Sequence, residues 1–203
     1  MNGRNVDWEI EQKLRDHASF LAGVPGAQMA DFRNSSHVGL VMQMTDLRRA
    51  LFTGANFSRA QMEGCNLSNS DMMCINLKNA QLSGCKLVDS VLRGADLSRT
   101  TLNASDLTGA DMRPASVQDL HMNVHRKASM KGSDLQNATF RRTKLNEAIL
   151  VGCTAHHANF ESADMTQTNL KSGVFTGATF TAAQLRGANI QGADLQDADM
   201  SEA

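Results

Sequence analysis

A large apolar side chain recurs at every fifth position along most of this chain. In the stretch LRGADLSRTTLNASDLTGADM these side chains, here called centres, are Leu92, Leu97, Leu102, Leu107 and Met112. A strand repeats its side-chain direction every two residues and a helix every 3.6. Neither element accounts for a period of five, so the chain must fold into something else.

The period runs in two blocks, and two further preferences accompany it. Centres run from Leu47 to Val117 and again from Met130 to Met200, with Ala155 as the small exception in the second block. The residue two before a centre is small, apart from Ile75. Most glycines lie two residues after a centre, where a turn that requires positive φ would place them.

These three preferences predict a four-sided coil in which each five-residue unit forms one side. Every centre and every small residue then points inward, and 20 residues complete one turn. About 30 units make roughly 7 to 8 coils, stacked at strand spacing. Helical repeats are longer and carry fewer glycines, and disordered segments lack such a register. The weak first units begin at Phe32, with His37 and Met42 as poor centres.

The motif A(D/N)LXX, present here as GADLS, NASDL, GANIQ and GADLQ, resembles the pentapeptide-repeat proteins over residues 30–200. The resemblance implies an all-β, right-handed quadrilateral β-helix, with no enzymatic activity and no cofactor. A lead-in such as HASFLAGVPGAQMADF is similar to one found before the repeats in many bacterial members. We therefore expect a bacterial, non-enzymatic protein.

Residues 1–29 are expected to form a short capping α-helix and a lead-in, followed by repeats over 30–203. Asn5 is a candidate N-cap, and Pro25 and Gly26 are expected to end the helix. The helix would cover the first coil, which otherwise presents unpaired strand edges. Its apolar face would consist of Val6, Ile10, Leu14, His17 and Leu21.

The repeat is interrupted at about residues 118–129, where centres are 13 residues apart. If Met122 is a centre, then His125, Arg126 and Lys127 form a small outward loop, which is either a tolerated insertion or a binding loop. This count places Met122 on the side of Leu102 and Leu145. It places Ala155 on the side of Met112 and Leu135, so the pairs His121/His125 and His156/His157 face opposite ways, and we expect no metal site.

Charge is uneven along the predicted rod, although the whole chain has a net charge of only -1. Residues 113–144 carry a net charge of +5, and residues 145–203 carry a net charge of -5. Arg141 and Arg142 in the basic part, and Asp194, Asp197 and Asp199 near the end, are therefore further candidate interaction residues. The last repeat ends without a cap, so either a second rod covers it, giving a homodimer, or the chain continues in a longer parent protein.

Two classes of function follow as alternatives. A rigid scaffold for an unknown protein partner is the first expectation. The alternative is a DNA mimic that binds DNA gyrase and protects it from quinolones, as some family members do; near-neutral charge and the missing C-terminal helix argue against it. Direct nucleic-acid binding is disfavoured because surface aromatics are missing.

The remaining expectations concern location and the cysteines. Neither a signal peptide nor a membrane span is evident, so we expect a cytoplasmic protein. Cys65 and Cys85 occupy the small inward position 20 residues apart and are predicted to be reduced interior filler.

Overall fold

The computed structural model describes residues 3–119 and 122–203. In chain order it contains a helix α1 (Gly3–Leu21), a strand β1 (Ala115–Asp119) and a strand β2 (Met122–Arg126). The rest is a four-sided coil held by isolated parallel bridges, most of them between residues 20 apart. Each side is too short for a regular strand, because the turn at each corner leaves only one residue per side free to form a bridge.

The bridges form four ladders, which define four faces of the coil. Face A runs from Asp31 to Gln184, face B from Ser36 to Asn189, face C from Val41 to Asp194 and face D from Asp46 to Asp199. Each ladder contains eight residues, one for each coil. At about 4.8 Å per step, the ladders extend roughly 34 Å, which agrees with the predicted number of coils.

The corners are the turns that the glycine positions predict. At a typical corner, the Ala50 N–H donates to the Leu47 carbonyl, and Arg49 between them has a φ of 66°. Within residues 3–119 and 122–203, every corner residue from Asn34 to Glu202 has positive φ except Pro114. Glycine adopts this conformation without strain, which explains its place two residues after a centre.

The interior is a continuous column of centres and small residues. Centres from Phe32 to Phe180 are buried, apart from the half-buried His37. Phe140, Phe160 and Phe180 stack on face D with ring centroids about 5 Å apart. In the last coil the interior side chains are partly exposed: Leu185, Ile190, Leu195 and Met200.

Helix α1 differs from the prediction at both ends. It begins at Gly3, so Asn5 lies within the helix and the N-cap assignment is wrong. It ends at Leu21, and in the turn that follows Gly23 has a φ of 77°, the Gly23 N–H donates to the Phe20 carbonyl and the Val24 N–H donates to the Ser19 carbonyl. This pair of bonds is a Schellman motif, which stops the helix before Pro25 is reached.

The helix packs on the first coil through Ile10, Leu14 and His17 of the predicted face, and the side chain of Val6 lies outside the described part of the structure. Ile10 and His17 are buried, and Leu14 packs against the interior column. The Ala30 N–H donates to His17 Nδ1 at 3.0 Å, and Lys13 donates to the Asp31 carbonyl. Trp8 is 60% exposed on the other side of the helix. These contacts tie α1 to the lead-in and the first side of face A.

The interruption is an antiparallel hairpin, longer than predicted. Strands β1 and β2 pair from Ala115 with Arg126 to Asp119 with Met122. Val117 and Met122 therefore lie in the hairpin, and treating them as centres was wrong. Met130 is the centre that follows Met112, because Ser129 bridges Asp96. The insertion thus contains 13 extra residues, not three.

This correction moves every later residue by two sides. Met112 aligns with Leu145, because Asp111 bridges Lys144. Ala155 aligns with Leu135 and with Leu102, because Thr101 bridges Asp134 and Asp134 bridges Thr154. The predicted alignment of Ala155 with Met112, and that of Leu145 with Leu102, is wrong.

Candidate interaction surfaces

The hairpin leaves the coil at the corner between faces A and B and is fixed at its base. The Arg93 guanidinium donates to the Pro114 carbonyl at 3.1 Å, and Arg126 donates to the Cys74 carbonyl at 3.3 Å. Gly94 lies directly beneath: a Cβ added there would be 2.9 Å from the Ala115 Cβ and 3.0 Å from the Arg126 carbonyl oxygen. The base of the hairpin therefore packs closely on the corner of the preceding coil.

The three residues predicted to form an outward loop lie at the end of β2. His125 Nε2 and Lys127 Nζ approach the Glu147 carboxylate at 3.5 and 3.0 Å. The Lys127 ammonium lowers the pKa of Glu147, with a smaller contribution from His125. Because Arg126 is bound to Cys74, all three side chains have partners within the protein.

The predicted residues Arg141 and Arg142 lie on face D, away from the hairpin. Arg141 pairs with Glu161 one coil further on, at 2.8 Å. Arg142 is an exposed corner residue with a φ of 54°. The basic part of the sequence is thus distributed around the coil, with Arg113 and Lys144 on face A and Lys131 on face B.

The three predicted acidic residues lie in the last coil, on two faces. Asp194 and Asp197 belong to face C, whereas Asp199 belongs to face D. The Asp194 carboxylate accepts a hydrogen bond from the Thr176 hydroxyl at 3.3 Å, and the Asp199 carboxylate accepts one from the Thr181 hydroxyl at 2.9 Å. The eight candidates therefore occupy three separate places and form no single site.

On faces A and D, aspartate and arginine pair within one side of the coil. An Asp at the residue that forms the β-bridge, one before the centre, pairs with an Arg two residues later. The distance from Arg Nη2 to Asp Oδ2 is 2.5 Å for Asp31–Arg33, 2.7 Å for Asp46–Arg48 and 2.7 Å for Asp111–Arg113. The hydrogen bonds from Arg33 lower the pKa of Asp31 to about 2. The charges of Arg33, Arg48 and Arg113 are therefore neutralised locally.

Face B carries a row of cations that the sequence analysis missed. Asn76 and Asn169 replace aspartate at the bridge position, and their Oδ1 atoms still accept the N–H of Lys78 and Lys171 at 3.1 Å. The turn geometry is thus kept without the negative charge. We call the following five exposed residues the face B cations: Arg59, Lys78, Arg99, Lys131 and Lys171.

The face B cations have no ion-pair partners and few acidic neighbours. Across residues 3–119 and 122–203, none of the five forms an ion pair, and Asp96 is the single acidic residue on face B. Face C has the opposite balance in the described chain, with no Lys or Arg and four acids, which are Glu63, Asp134, Asp194 and Asp197. The near-neutral chain therefore has one basic and one acidic face.

The sequence contains a signal for this row, because residues 20 positions apart lie on the same face of the coil. The wrong length predicted for the insertion concealed it. Counting three extra residues places Lys131 and Lys171 opposite Lys78 and Arg99. Counting 13 places all four on face B.

The histidines and cysteines form no metal site in the part of the chain that the structure describes. His156 and His157 lie on face C, His125 lies in the hairpin, and His121 is outside the described residues. Cys65 and Cys85 are free and buried, as expected for interior filler, and burial raises the pKa of Cys85 to about 12. No helix in the described ranges is long and apolar enough to cross a membrane.

The sequence profile described as Pentapeptide repeats matches this chain in eight copies, over residues 30–69, 75–113, 133–171 and 163–203. The chain belongs to this family. The matched residues leave out the hairpin, in agreement with its place outside the coil. No curated protein matches in a sequence comparison.

Solved structures of several pentapeptide-repeat proteins resemble the fold. QnrB1, described as a plasmid-mediated fluoroquinolone resistance protein, matches in a trypsin-treated variant form with a TM-score of 0.55 and 18% identity, covering 85% of this chain and 77% of that one. Full-length QnrB1 matches with a TM-score of 0.53 and 17% identity, covering 83% of this chain and 88% of that one. A pentapeptide repeat protein of the Arabidopsis thaliana thylakoid lumen matches with a TM-score of 0.49 and 22% identity, covering 57% of this chain and 72% of that one. At these identities the likeness concerns the fold.

Proposed function

We propose that this protein is a rigid, non-enzymatic scaffold that binds a protein partner through the outward side chains of a right-handed quadrilateral β-helix. The observation that supports this most is that apolar and small side chains fill the interior of the coil, whereas the charged side chains of the coil lie on its four outer faces. A rod of this kind holds side chains at fixed spacing, which suits recognition of a partner surface.

The buried polar groups support a non-enzymatic role. Buried hydroxyls satisfy backbone carbonyls: Ser105 donates to Leu82 at 2.7 Å, and Thr168 donates to Leu145 at 2.8 Å. A cleft of about 400 Å³ beside α1, lined by Trp8, Lys13 and Met29 among others, holds no nucleophile paired with a base. Catalytic sites generally combine such groups in a concave pocket.

The test is capture of a partner by the intact protein, followed by mapping of the contact. We expect chemical cross-linking in a lysate of the source organism to yield a discrete protein whose cross-links fall on outward residues of one or two faces. Absence of any cross-linked partner would contradict the scaffold role, and hydrolytic or transfer activity of the purified protein in a broad substrate screen would contradict the non-enzymatic role.

A second candidate function is protection of DNA gyrase. The observation that favours it is the fold shared with QnrB1 over 85% of this chain, which removes the basis for dismissing this alternative on sequence alone. The test is DNA supercoiling by gyrase in the presence of a quinolone. If the protein acts on gyrase, adding it restores supercoiling at inhibitory quinolone concentrations; with no effect at equimolar or higher protein, this candidate is wrong.

Homodimer formation through a rod end and a cytoplasmic location stay predictions. Light scattering of the purified protein tests the first, and fractionation of the source cells tests the second.

A further inference from the structure

We infer that the face B cations bind an acidic α-helix of a partner protein, one that presents a carboxylate on about every turn. The inference rests on the proposed scaffold function and names the chemistry of the partner. It begins from the charge balance of the face, since five cations lie there with Asp96 as the single acidic residue, and none of the five forms an ion pair among the described residues. On faces A and D, by contrast, Arg33, Arg48 and Arg113 each have an aspartate partner two residues away.

The backbone holds these cations in fixed positions relative to one another. The Arg59 N–H donates to the Lys78 carbonyl at 2.9 Å, and the Arg99 N–H donates to the Lys131 carbonyl at 2.9 Å. The four residues therefore come from four successive coils, and Lys171 follows two coils after Lys131. Because the coils are rigid, binding requires ordering of these side chains only, and not of the backbone that carries them.

The spacing of the row fits a helix. Successive coils lie about 4.8 Å apart, and one turn of an α-helix rises about 5.4 Å. A helix lying along face B with Asp or Glu at every third or fourth residue would meet one cation per turn, and long Lys and Arg side chains can absorb the small mismatch. From Arg59 to Lys171 the row spans about 24 Å, or roughly four to five helical turns.

A second copy of this chain fits the row less well. The acidic face C places its carboxylates at the second, fifth and eighth coils, in Glu63, Asp134, Asp194 and Asp197. The face B cations lie at the second, third, fourth, fifth and seventh coils. One-to-one pairing between the two faces is therefore limited to a few contacts.

Nucleic acid also fits less well. Proteins that bind single strands combine a positive groove with aromatic side chains on which bases stack. On the four faces of the described coil, no outward position holds a Phe, Trp or Tyr residue, and face B is flat.

The test measures binding of a labelled helical peptide of about 20 residues to the full-length protein by fluorescence anisotropy at low salt. One peptide carries Glu along a single helical face; a second has the same composition with Glu spread around the helix. The face B variant is Lys78→Ser, Lys131→Ser and Lys171→Ser. The control variant, Lys86→Ser, Arg142→Ser and Arg186→Ser, removes the same charge from faces A and D at exposed positions.

We expect the one-face peptide to bind more tightly than its isomer and to lose about tenfold in affinity with the face B variant, against less than about threefold with the control. Serine occupies equivalent repeat positions elsewhere, so both variants should fold, as circular dichroism would verify. Equal losses with both variants, or equal binding of both peptides, would overturn the inference. Tighter binding of an oligothymidylate of similar length, lost in the face B variant, would reassign the surface to nucleic acid.

The two proposals fail in different ways. If the face B variant still captures the cross-linked partner as well as the unchanged protein does, the face B inference is wrong and the scaffold function stands. If the unchanged protein captures no partner, the scaffold function is wrong, whatever the peptides do.

Discussion

At the scale of single residues, the corner position decides how much strain the coil contains. Twenty non-glycine corner residues adopt positive φ, among them Ala104 at 54°. An L-residue in this region is less stable by roughly 1–2 kcal/mol, because its Cβ approaches the neighbouring carbonyl oxygen. Each such corner is therefore a place where glycine would fit the folded backbone better.

We predict that Ala104→Gly stabilises the fold by about 0.5–1 kcal/mol, the relief of strain exceeding the entropy that glycine adds to the unfolded chain. Gly152→Ala is the reverse change at a corner of φ 63° with nothing within 4 Å of an added Cβ. It should destabilise by about 1 kcal/mol. Urea unfolding midpoints measure both, and a loss of stability in Ala104→Gly would show that strain is not what the corner controls.

A second pair of corner variants separates strain from contact with the hairpin. Gly94→Ala and Gly84→Ala introduce the same side chain at φ 64° and 67°. The added Cβ meets Ala115 and Arg126 at residue 94, but nothing within 4 Å at residue 84. We predict that Gly94→Ala alone raises hydrogen exchange of the hairpin amides. Equal exchange in both variants would contradict close packing at the hairpin base.

At the scale of elements, helix α1 depends on a neutral histidine. His17 is fully buried, and its Nδ1 accepts the Ala30 N–H, so a proton on Nδ1 would remove this bond. Burial lowers the pKa of His17 below its ordinary value of 6.5, although Asp46 acts in the opposite direction. The Arg49 charge adds to the lowering, whereas at Arg48 a backbone hydrogen bond raises the pKa by more than the charge of that residue lowers it.

The sign of the pH dependence follows from this shift. Unfolded His17 binds a proton more readily than the folded form, so docking of α1 is strongest above pH 6.5 and weakens as the pH falls below it. We predict that the protection of α1 amides against hydrogen exchange, relative to the intrinsic exchange rate at each pH, decreases on acidification from about pH 7 to pH 5.

His17→Gln keeps an acceptor for the Ala30 N–H without a titrating group and should remove this loss of protection. Burial also lowers the pKa of His37, so His37→Gln serves as the matched control and should leave the α1 response in place. An unchanged pH response in His17→Gln would exclude His17 as its source.

At the scale of the whole molecule, the hairpin is an addition to a coil that is complete without it. Residues 112–114 and 128–130 together read MRPASM, which is one five-residue unit followed by the centre of the next once residues 115–127 are removed. Pro114 occupies the corner of that unit, but its ring fixes φ near −65° and it has no N–H to donate. The chain therefore cannot turn there and leaves the coil.

We predict that deletion of residues 115–127 together with Pro114→Gly yields a folded rod with unchanged far-ultraviolet circular dichroism. The same deletion with Pro114 retained should be less stable by about 3 kcal/mol, because proline is forced into a corner that requires positive φ. Guanidinium unfolding compares the two deletions. Equal stabilities would show that Pro114 does not control the exit of the chain.

The same region shows where prediction from the sequence succeeds and where it stops. The period, the inward small residues and the glycine corners follow from steric rules that act within a few residues, and the structure contains them. The face on which the repeat resumes after the insertion does not follow from these rules, because Ala115-Ser116-Val117 and Ala128-Ser129-Met130 fit the repeat equally well. The choice between them depends on Pro114 and on contacts with the preceding coil, and the identity of face B depends on that choice.

The position of the hairpin also has a consequence for how the gene of such a protein can vary. Loss of a single codon within the coil shifts every later side chain by one place, so that inward residues turn outward until a second change restores the count. Loss or gain of codons within the hairpin shifts nothing, because the chain departs after Pro114 and re-enters at Ala128 regardless of the length between them. The hairpin is thus a stretch of the coding sequence in which length can vary while the coil keeps its five-residue register.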